Sequence, residues 1–300
     1  MAIGFIGLGH MGEPSAFNLL NKGVELIVHD RRRAAADKLV AAGAKWADSI
    51  AEVAAGAETV VTCVPGPPEV QAVVAGEGGL MASLGAGQAW IDMSTTDLHQ
   101  MAYFAADFGK KGIEVLETTA TGGVQAAWRG HVILFVGGDP AVFERRRAVI
   151  DGIADQVFYC GPMGSATVTK LITNTLCFVH QTALGEVLML GKKAGLDISA
   201  LLEAIQASYG GSFVADVDGP QILDGSYDLT FDVGLVAKDA RLAMGLAREF
   251  GAPMRVADLV SQIVEEALAR YGPKAGALVA TKALEEDIGV SLRAAWPKAG

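Results

Sequence analysis

Short apolar runs alternate with helix-length segments through the first half of the chain. Residues 2–6, 25–29, 59–64, 89–93, 113–116 and 132–136 are rich in Ile and Val and read as buried strands. Helix starts fall between them: Thr96-Asp97 opens one, and Asp139-Pro140 sets a capping side chain before a first-turn proline. Strand–helix–strand repetition of this kind predicts an α/β fold, a mostly parallel, doubly wound sheet with helices on both faces.

After Gly161-Pro162-Met163-Gly164 the pattern changes. Residues 165–194 contain no proline and are interrupted only by Gly185 and Gly191, which predicts one long helix or two in line. Asp197 caps a further helix over 198–207, and helical periodicity recurs at 235–250 and 256–271. No strand pattern follows residue 160. The expected division is therefore an α/β domain over 1–162 and an all-α domain over 163–300.

Composition narrows the function. At 300 residues the chain has material for two cores, and 51% hydrophobic against 19% charged residues, with a mean hydropathy of +0.34, excludes disorder. No apolar run reaches the roughly 18 residues of a membrane span. With 24 Lys+Arg against 34 Asp+Glu the formal net charge is −10, so the broad positive field of a nucleic-acid binder is missing. Arg31-Arg32-Arg33 is too short to alter that, and Arg145-Arg146-Arg147 reads as a solvated helix face. Cys63, Cys160 and Cys177 are odd in number and far apart, which argues against disulfides and zinc; His10, His29, His99, His131 and His180 lack metal-ligand spacing. No metal is expected. The N-terminus carries no basic stretch before its first apolar run and passes directly into a glycine motif, so a cytoplasmic location is expected.

That motif is Gly7-Leu8-Gly9-His10-Met11-Gly12, a G-x-G-x-x-G string. With 37 glycines in the chain, the spacing alone is weak; its place between a predicted strand and a predicted helix makes it specific. Gly7 permits the turn, Gly9 lets the backbone approach a pyrophosphate, and Gly12 lets helix and strand pack closely, with the helix N-terminus facing the phosphate charge. Asp30 closes the second strand at the distance expected of a residue that accepts from the adenosine ribose hydroxyls, which favours NAD. Arg31 follows at once, and a guanidinium there could hold the 2′-phosphate of NADP. The first domain thus reads as a Rossmann dinucleotide-binding domain. His10, although inside the loop, faces the helix start and is assigned no acid–base role.

The segment GFIGLGHMGEPSAFNLLN over 4–21 resembles the opening of the 3-hydroxyisobutyrate dehydrogenase-like β-hydroxyacid dehydrogenases, relatives of 6-phosphogluconate dehydrogenase. The resemblance continues in order along most of the chain. Val64-Pro65 is similar to the family's Leu-Pro loop, and Asp92-Met93-Ser94-Thr95-Thr96 to its D-x-S-T segment, whose threonine meets the nicotinamide end of the cofactor. Thr121-Gly122-Gly123 is similar to its Ser-Gly-Gly substrate loop, with Gly130 and Val136-Gly137-Gly138 following. Gly161-x-x-Gly164-x-Ala166-x-x-x-Lys170-x-x-x-Asn174 is similar to the segment with its catalytic lysine. Leu235-x-x-Lys238-Asp239 is similar to a later motif whose lysine contacts the cofactor. The resemblance implies NAD(P)-dependent interconversion of a short β-hydroxy acid and its semialdehyde or keto acid, and a homodimer or homotetramer.

Departures cluster where substrate binds. The family's D-A-P-V-S-G-G loop is here Glu117-Thr118-Thr119-Ala120-Thr121-Gly122-Gly123; Ala166 replaces a glycine and Thr173 an asparagine. They imply retained chemistry on an altered substrate pocket. The cofactor takes the hydride, and the hydroxyl proton needs a positioned base. Lys170 is the candidate, although most lysines are solvated surface residues. A free lysine titrates near about 10.4, so burial, or a second cation such as Lys238, must bring it toward neutrality. Lys170 and Asn174 stand four apart, on one helix face, and can grip one substrate together. The backbone N–H groups and hydroxyl of Thr121-Gly122-Gly123 would bind a substrate carboxylate. Imine reductases of related sequence usually lack the lysine, and so do non-catalytic dinucleotide-binding relatives; Lys170 separates this chain from both alternatives.

Overall fold

The computed structural model describes residues 2–296. Eight strands among them form one sheet: β1 (Ala2–Ile6), β2 (Glu25–His29), β3 (Lys45–Trp46), β4 (Thr59–Thr62), β5 (Ala89–Asp92), β6 (Glu114–Thr121), β7 (Ile133–Gly138) and β8 (Gln156–Gly161). Their spatial order is β3-β2-β1-β4-β5-β6-β7-β8. All neighbouring pairs are parallel except β6 and β7. That pair is joined by a short helix, Gly123–Trp128, and a turn, a link near the minimum for a parallel crossover. Apolar residues cover both faces. Phe5, Leu19, Val28, Ile91 and Leu134 belong to one core, and Val60, Trp90, Phe104 and Phe108 to the other, which is why the strands read as continuous apolar runs.

Two strands escape the sequence pattern. β3 is two residues long, and β8 is an edge strand whose side chains are largely solvent-facing, Phe158 and Tyr159 included. β6 also runs beyond its apolar start, because Glu117, Thr118 and Thr119 continue it as buried polar residues. The expected caps form: Asp97, Asp139 and Asp197 each accept N–H groups of their helices' first turns. The arginine triplet is not simply solvated. Arg145 and Arg146 both pair with Glu114, at 2.7 and 2.6 Å, fastening helix Pro140–Ile153 to β6.

The long helix is one element, Ser165–Lys193. The chain separates into two compact units whose division falls inside it, one ending at Lys170 and the other beginning at Leu171. The second unit is helical, with helices Ile198–Gln206, Phe213–Val217, Gly219–Asp224, Val233–Glu249, Arg255–Tyr271 and Val279–Ile288. Its apolar residues form two clusters, one around Leu188, Leu202 and Ile222 and one around Phe178, Val236 and Val264.

Candidate active site

Strand order reverses between β1 and β4, and crevices at such points, beyond the carboxyl ends of the strands, are where dinucleotides bind. The glycine loop leaves β1 there. Gly7 has φ +92°, and a Cβ on it would lie 2.3 Å from the Cys63 carbonyl oxygen. A Cβ on Gly12 would lie 2.0 Å from the Gly7 carbonyl oxygen, so the turn closes only with glycine at both positions. Gly9 differs: nothing lies within 4 Å of its Cβ position, so its backbone is open to a ligand. Helix Gly12–Asn21 follows, and its N-cap residue Met11 supplies no side-chain hydrogen bond. An open glycine and a helix start without a side-chain cap suit a pyrophosphate, and the residues present fit a nicotinamide dinucleotide.

Asp30 has a structural task besides the one expected of it. Its Oδ2 accepts the Leu8 N–H at 2.8 Å and its Oδ1 the Arg32 N–H at 2.8 Å, tying the glycine loop to the end of β2. Each oxygen keeps a second lone pair for a ribose hydroxyl. Arg33 is committed to Asp37 and to the Trp46 ring, whereas Arg31 and Arg32 are exposed at the same edge. Leu8 is buried, while His10 points to the exposed side of the loop.

Val64-Pro65 follows β4 and Thr95 follows β5, so both stand at the same sheet edge as the glycine loop. A buried polar network links their loops. Ser94 Oγ accepts the Val64 N–H at 3.0 Å and donates to Asp92 Oδ1 at 2.7 Å. Thr62 also donates to that oxygen, at 2.6 Å, and itself accepts the Trp90 indole N–H at 2.9 Å. Asp92 is 1% exposed and its other oxygen has no hydrogen-bond partner; burial pushes its carboxyl up to about 6 despite the three bonds to Oδ1. Thr121 ends β6 at this edge too, and Gly122, in the left-handed region at φ +105°, turns the chain into helix Gly123–Trp128. The Thr121-Gly122-Gly123 segment is thus a strand end meeting a helix start.

Lys170 lies in the second turn of the long helix and is 9% exposed, the buried setting its expected role requires. Asn174 and Lys238 come together through Asp239, a residue of the Leu235-x-x-Lys238-Asp239 motif that is assigned no role from the sequence. Asp239 accepts from Asn174 Nδ2 at 2.7 Å, and its other oxygen is 2.8 Å from Lys238 Nζ. The Lys238 charge is therefore balanced by its neighbour rather than presented as a bare second cation. No group of His, Cys, Asp or Glu among the described residues could hold a metal, and no described helix is long and apolar enough to cross a membrane.

The sheet and its glycine loop define a nicotinamide-dinucleotide-binding domain followed by a helical one. Comparison with known families matches residues 2–161 to the NAD binding domain of 6-phosphogluconate dehydrogenase, and residues 164–284 to the NAD-binding region of NADP-dependent 3-hydroxyisobutyrate dehydrogenase. The chain is similar to 2-(hydroxymethyl)glutarate dehydrogenase of Eubacterium barkeri, 31% identical over 97% of each chain. It is 33% identical to the NAD-dependent L-serine dehydrogenase of Pseudomonas aeruginosa, over 82% of this chain and 84% of the relative. Among solved structures, the 3-hydroxyisobutyrate dehydrogenase of Mycobacterium tuberculosis with L-serine superposes with a TM-score of 0.83, at 25% identity, over 94% of this chain and 98% of that one. The chain belongs to the 3-hydroxyisobutyrate dehydrogenase-like β-hydroxyacid dehydrogenase family, and it is an NAD(P)-dependent oxidoreductase of that family.

Proposed function

We propose that the enzyme oxidises short acids of the form HO–CH2–CHR–COO⁻ to their semialdehydes, and reduces them back, with Lys170 as the acid–base group. Three substrates named for its relatives, 3-hydroxyisobutyrate, L-serine and 2-(hydroxymethyl)glutarate, share that unit and differ only in R. The bound dinucleotide supplies hydride transfer at the carbinol carbon. Lys170 Nζ takes the hydroxyl proton on oxidation and returns it on reduction. Asn174, its amide N–H committed to Asp239, offers its carbonyl oxygen to the substrate. Thr121, Gly122 and Gly123 hold the carboxylate. The observation that carries this reading is a lysine 9% exposed on a helix otherwise able to place it in water.

Gly7, Leu8, Gly9, His10, Met11, Gly12, Val64, Pro65, Thr95 and Lys238 line the cofactor. Asp30 favours NAD, and Arg31 leaves NADP accessible. Residues 1–162 form the dinucleotide-binding domain, and residues 163–300 the helical substrate and oligomerisation domain. Exposed Ile172, Leu176 and Leu190 on the long helix support a homodimer or homotetramer. The acidic balance fits a cytoplasmic enzyme without nucleic-acid partners.

The test follows NADH or NADPH absorbance with the three acids, for the wild type and for Lys170→Ala. Turnover of at least one acid, lost in the variant while dinucleotide still binds, is the expected result. A variant with wild-type kcat removes Lys170 from the role.

A further inference from the structure

Glu117 is 1% exposed in the middle of β6, four residues before Thr121, and makes none of the cofactor or substrate contacts proposed above. Its carboxylate meets the first turn of the Ser165–Lys193 helix. Oε1 accepts the Ala166 N–H at 2.9 Å; Oε2 accepts the Thr167 N–H at 3.2 Å and the Thr167 hydroxyl at 2.6 Å. Thr119, on the same face of β6, donates its hydroxyl to the Ala166 carbonyl at 3.1 Å. Both backbone polar groups of Ala166 are thereby held by one strand. First-turn N–H groups have no intrahelical acceptor, and the helix dipole favours an anion beside them.

Room for this contact is built in from the neighbouring strand. Gly137 is the register partner of Glu117 across β6–β7, and a Cβ on it would lie 2.3 Å from Oε1 and 3.1 Å from the Ala166 nitrogen. Burial pushes the Glu117 carboxyl up while the helix donors pull it down; Asp92, its register partner on β5, is the ionisable group beside it. Burying a carboxylate is costly even when it is paired. Other helices here are capped more simply, by the side chains of Asp97, Asp139 and Asp197 immediately before them. What distinguishes the long helix is that Lys170 stands one turn beyond the clamped residues, four from Ala166 and three from Thr167, on the same face.

We propose that Glu117 is a positioning residue: by clamping the first helical turn to β6 it fixes the height and rotation of the helix, and hence where the Lys170 ammonium stands. The proposal rests on Lys170 being the acid–base group. Glu117→Gln keeps the size of the side chain but turns one acceptor into a donor facing N–H groups. The helix start must then shift, and a displacement of about 1 Å in a reacting group costs on the order of 100-fold in rate.

The experiment places Glu117→Gln in the wild type and in Lys170→Ala, and reads kcat and KM with the three acids above, NADH affinity and the melting temperature. The expected result is a kcat loss of about 100-fold with NADH affinity kept, and no further loss when Lys170 is already alanine, since the two residues act as one unit. An equal loss in both backgrounds, or unchanged kcat in the wild type, overturns the proposal. Wild-type kcat in Lys170→Ala alone, or no turnover of any acid, overturns the acid–base assignment and the proposal with it. Where Glu117→Gln does not fold, Thr167→Val and Thr167→Ser decide. The first removes the hydroxyl bond to Glu117 and lowers kcat; the second keeps the bond and the rate. Equal rates in these two overturn the proposal.

Discussion

Replacing Asp92 with asparagine will change how stability depends on pH, by an amount set by its surroundings. Asp92 ends β5 with one oxygen bonded to Thr62 and Ser94 and the other buried without a partner. Desolvation outweighs those bonds, and the Glu117 charge acts in the same direction, so the carboxyl rises from 3.8 to about 6. Between those two values the folded protein holds a proton that the unfolded chain has released. Folding stability then falls as pH rises through the window. A displacement of about two pH units corresponds to on the order of 3 kcal/mol lost between roughly pH 4 and pH 6. The amide introduced by Asp92→Asn does not titrate, so the variant escapes that loss.

Urea unfolding of both proteins at pH 4, 5, 6 and 7 measures it. The stability of the variant relative to wild type should climb by about 3 kcal/mol from pH 4 to 6 and then level. Any contact the new amide gains or loses appears as a constant offset. Asp218, which burial also pushes up to about 6, titrates in both proteins and cancels. Parallel curves would refute the reasoning, because they would mean that Asp92 ionises as readily in the folded chain as in the unfolded one.

Besides the Lys170 and Glu117 variants above, two others probe the framework. Gly12→Ala puts a Cβ 2.0 Å from the Gly7 carbonyl, so the loop must open; a loss of about 1–3 kcal/mol in thermal unfolding should accompany collapse of NADH affinity in a fluorescence titration, and retained affinity would contradict the loop geometry. Arg293→Met leaves Glu285, 8% exposed, without the guanidinium that contacts it at 2.6 and 2.8 Å. Because Arg293 is partly exposed, the expected cost is on the order of 2 kcal/mol; Glu285→Gln in the same chain should recover part of it, and no recovery would mean that the charge is not what matters.

Features written locally in the chain were legible. β1, the glycine loop and β2 follow one another within thirty residues, and the aspartate caps at 97, 139 and 197 sit beside the helices they start. Lys170 and Asn174 declare their shared face by a spacing of four. The edge strand β8 was not legible, because its apolar run Val157-Phe158-Tyr159-Cys160 is only four residues long and such a run alone does not separate a strand from a helix segment. Nor was the antiparallel turn-back at β7, which depends on which side of β6 the chain takes. Arg146 reads as solvated in the sequence, yet Glu114, 32 positions away, lies within 2.6 Å of it.

Three buried carboxylates show why the supports were harder to see than the site. Asp92 fixes Ser94, which in turn holds the Val64 N–H, so the loops after β4 and β5 are set together. Glu117 fixes the helix that carries Lys170 from 49 positions away, and Asp239 orients Asn174 from 65. Asp92 has Ser94 and Asp239 has Lys238 close by in sequence, but the partners through which the three acids join distant segments, Thr62, Ala166, Thr167 and Asn174, lie far beyond the reach of a spacing rule. Each lies inside a buried stretch, where a charge is expensive unless the fold brings donors to it. An acid embedded among buried positions is therefore itself a signal: it states that donors converge there in three dimensions. Glu117 among Leu116, Thr118 and Thr119 carried that signal in plain view, and only the folded arrangement could say that the donors would come from the helix that carries Lys170.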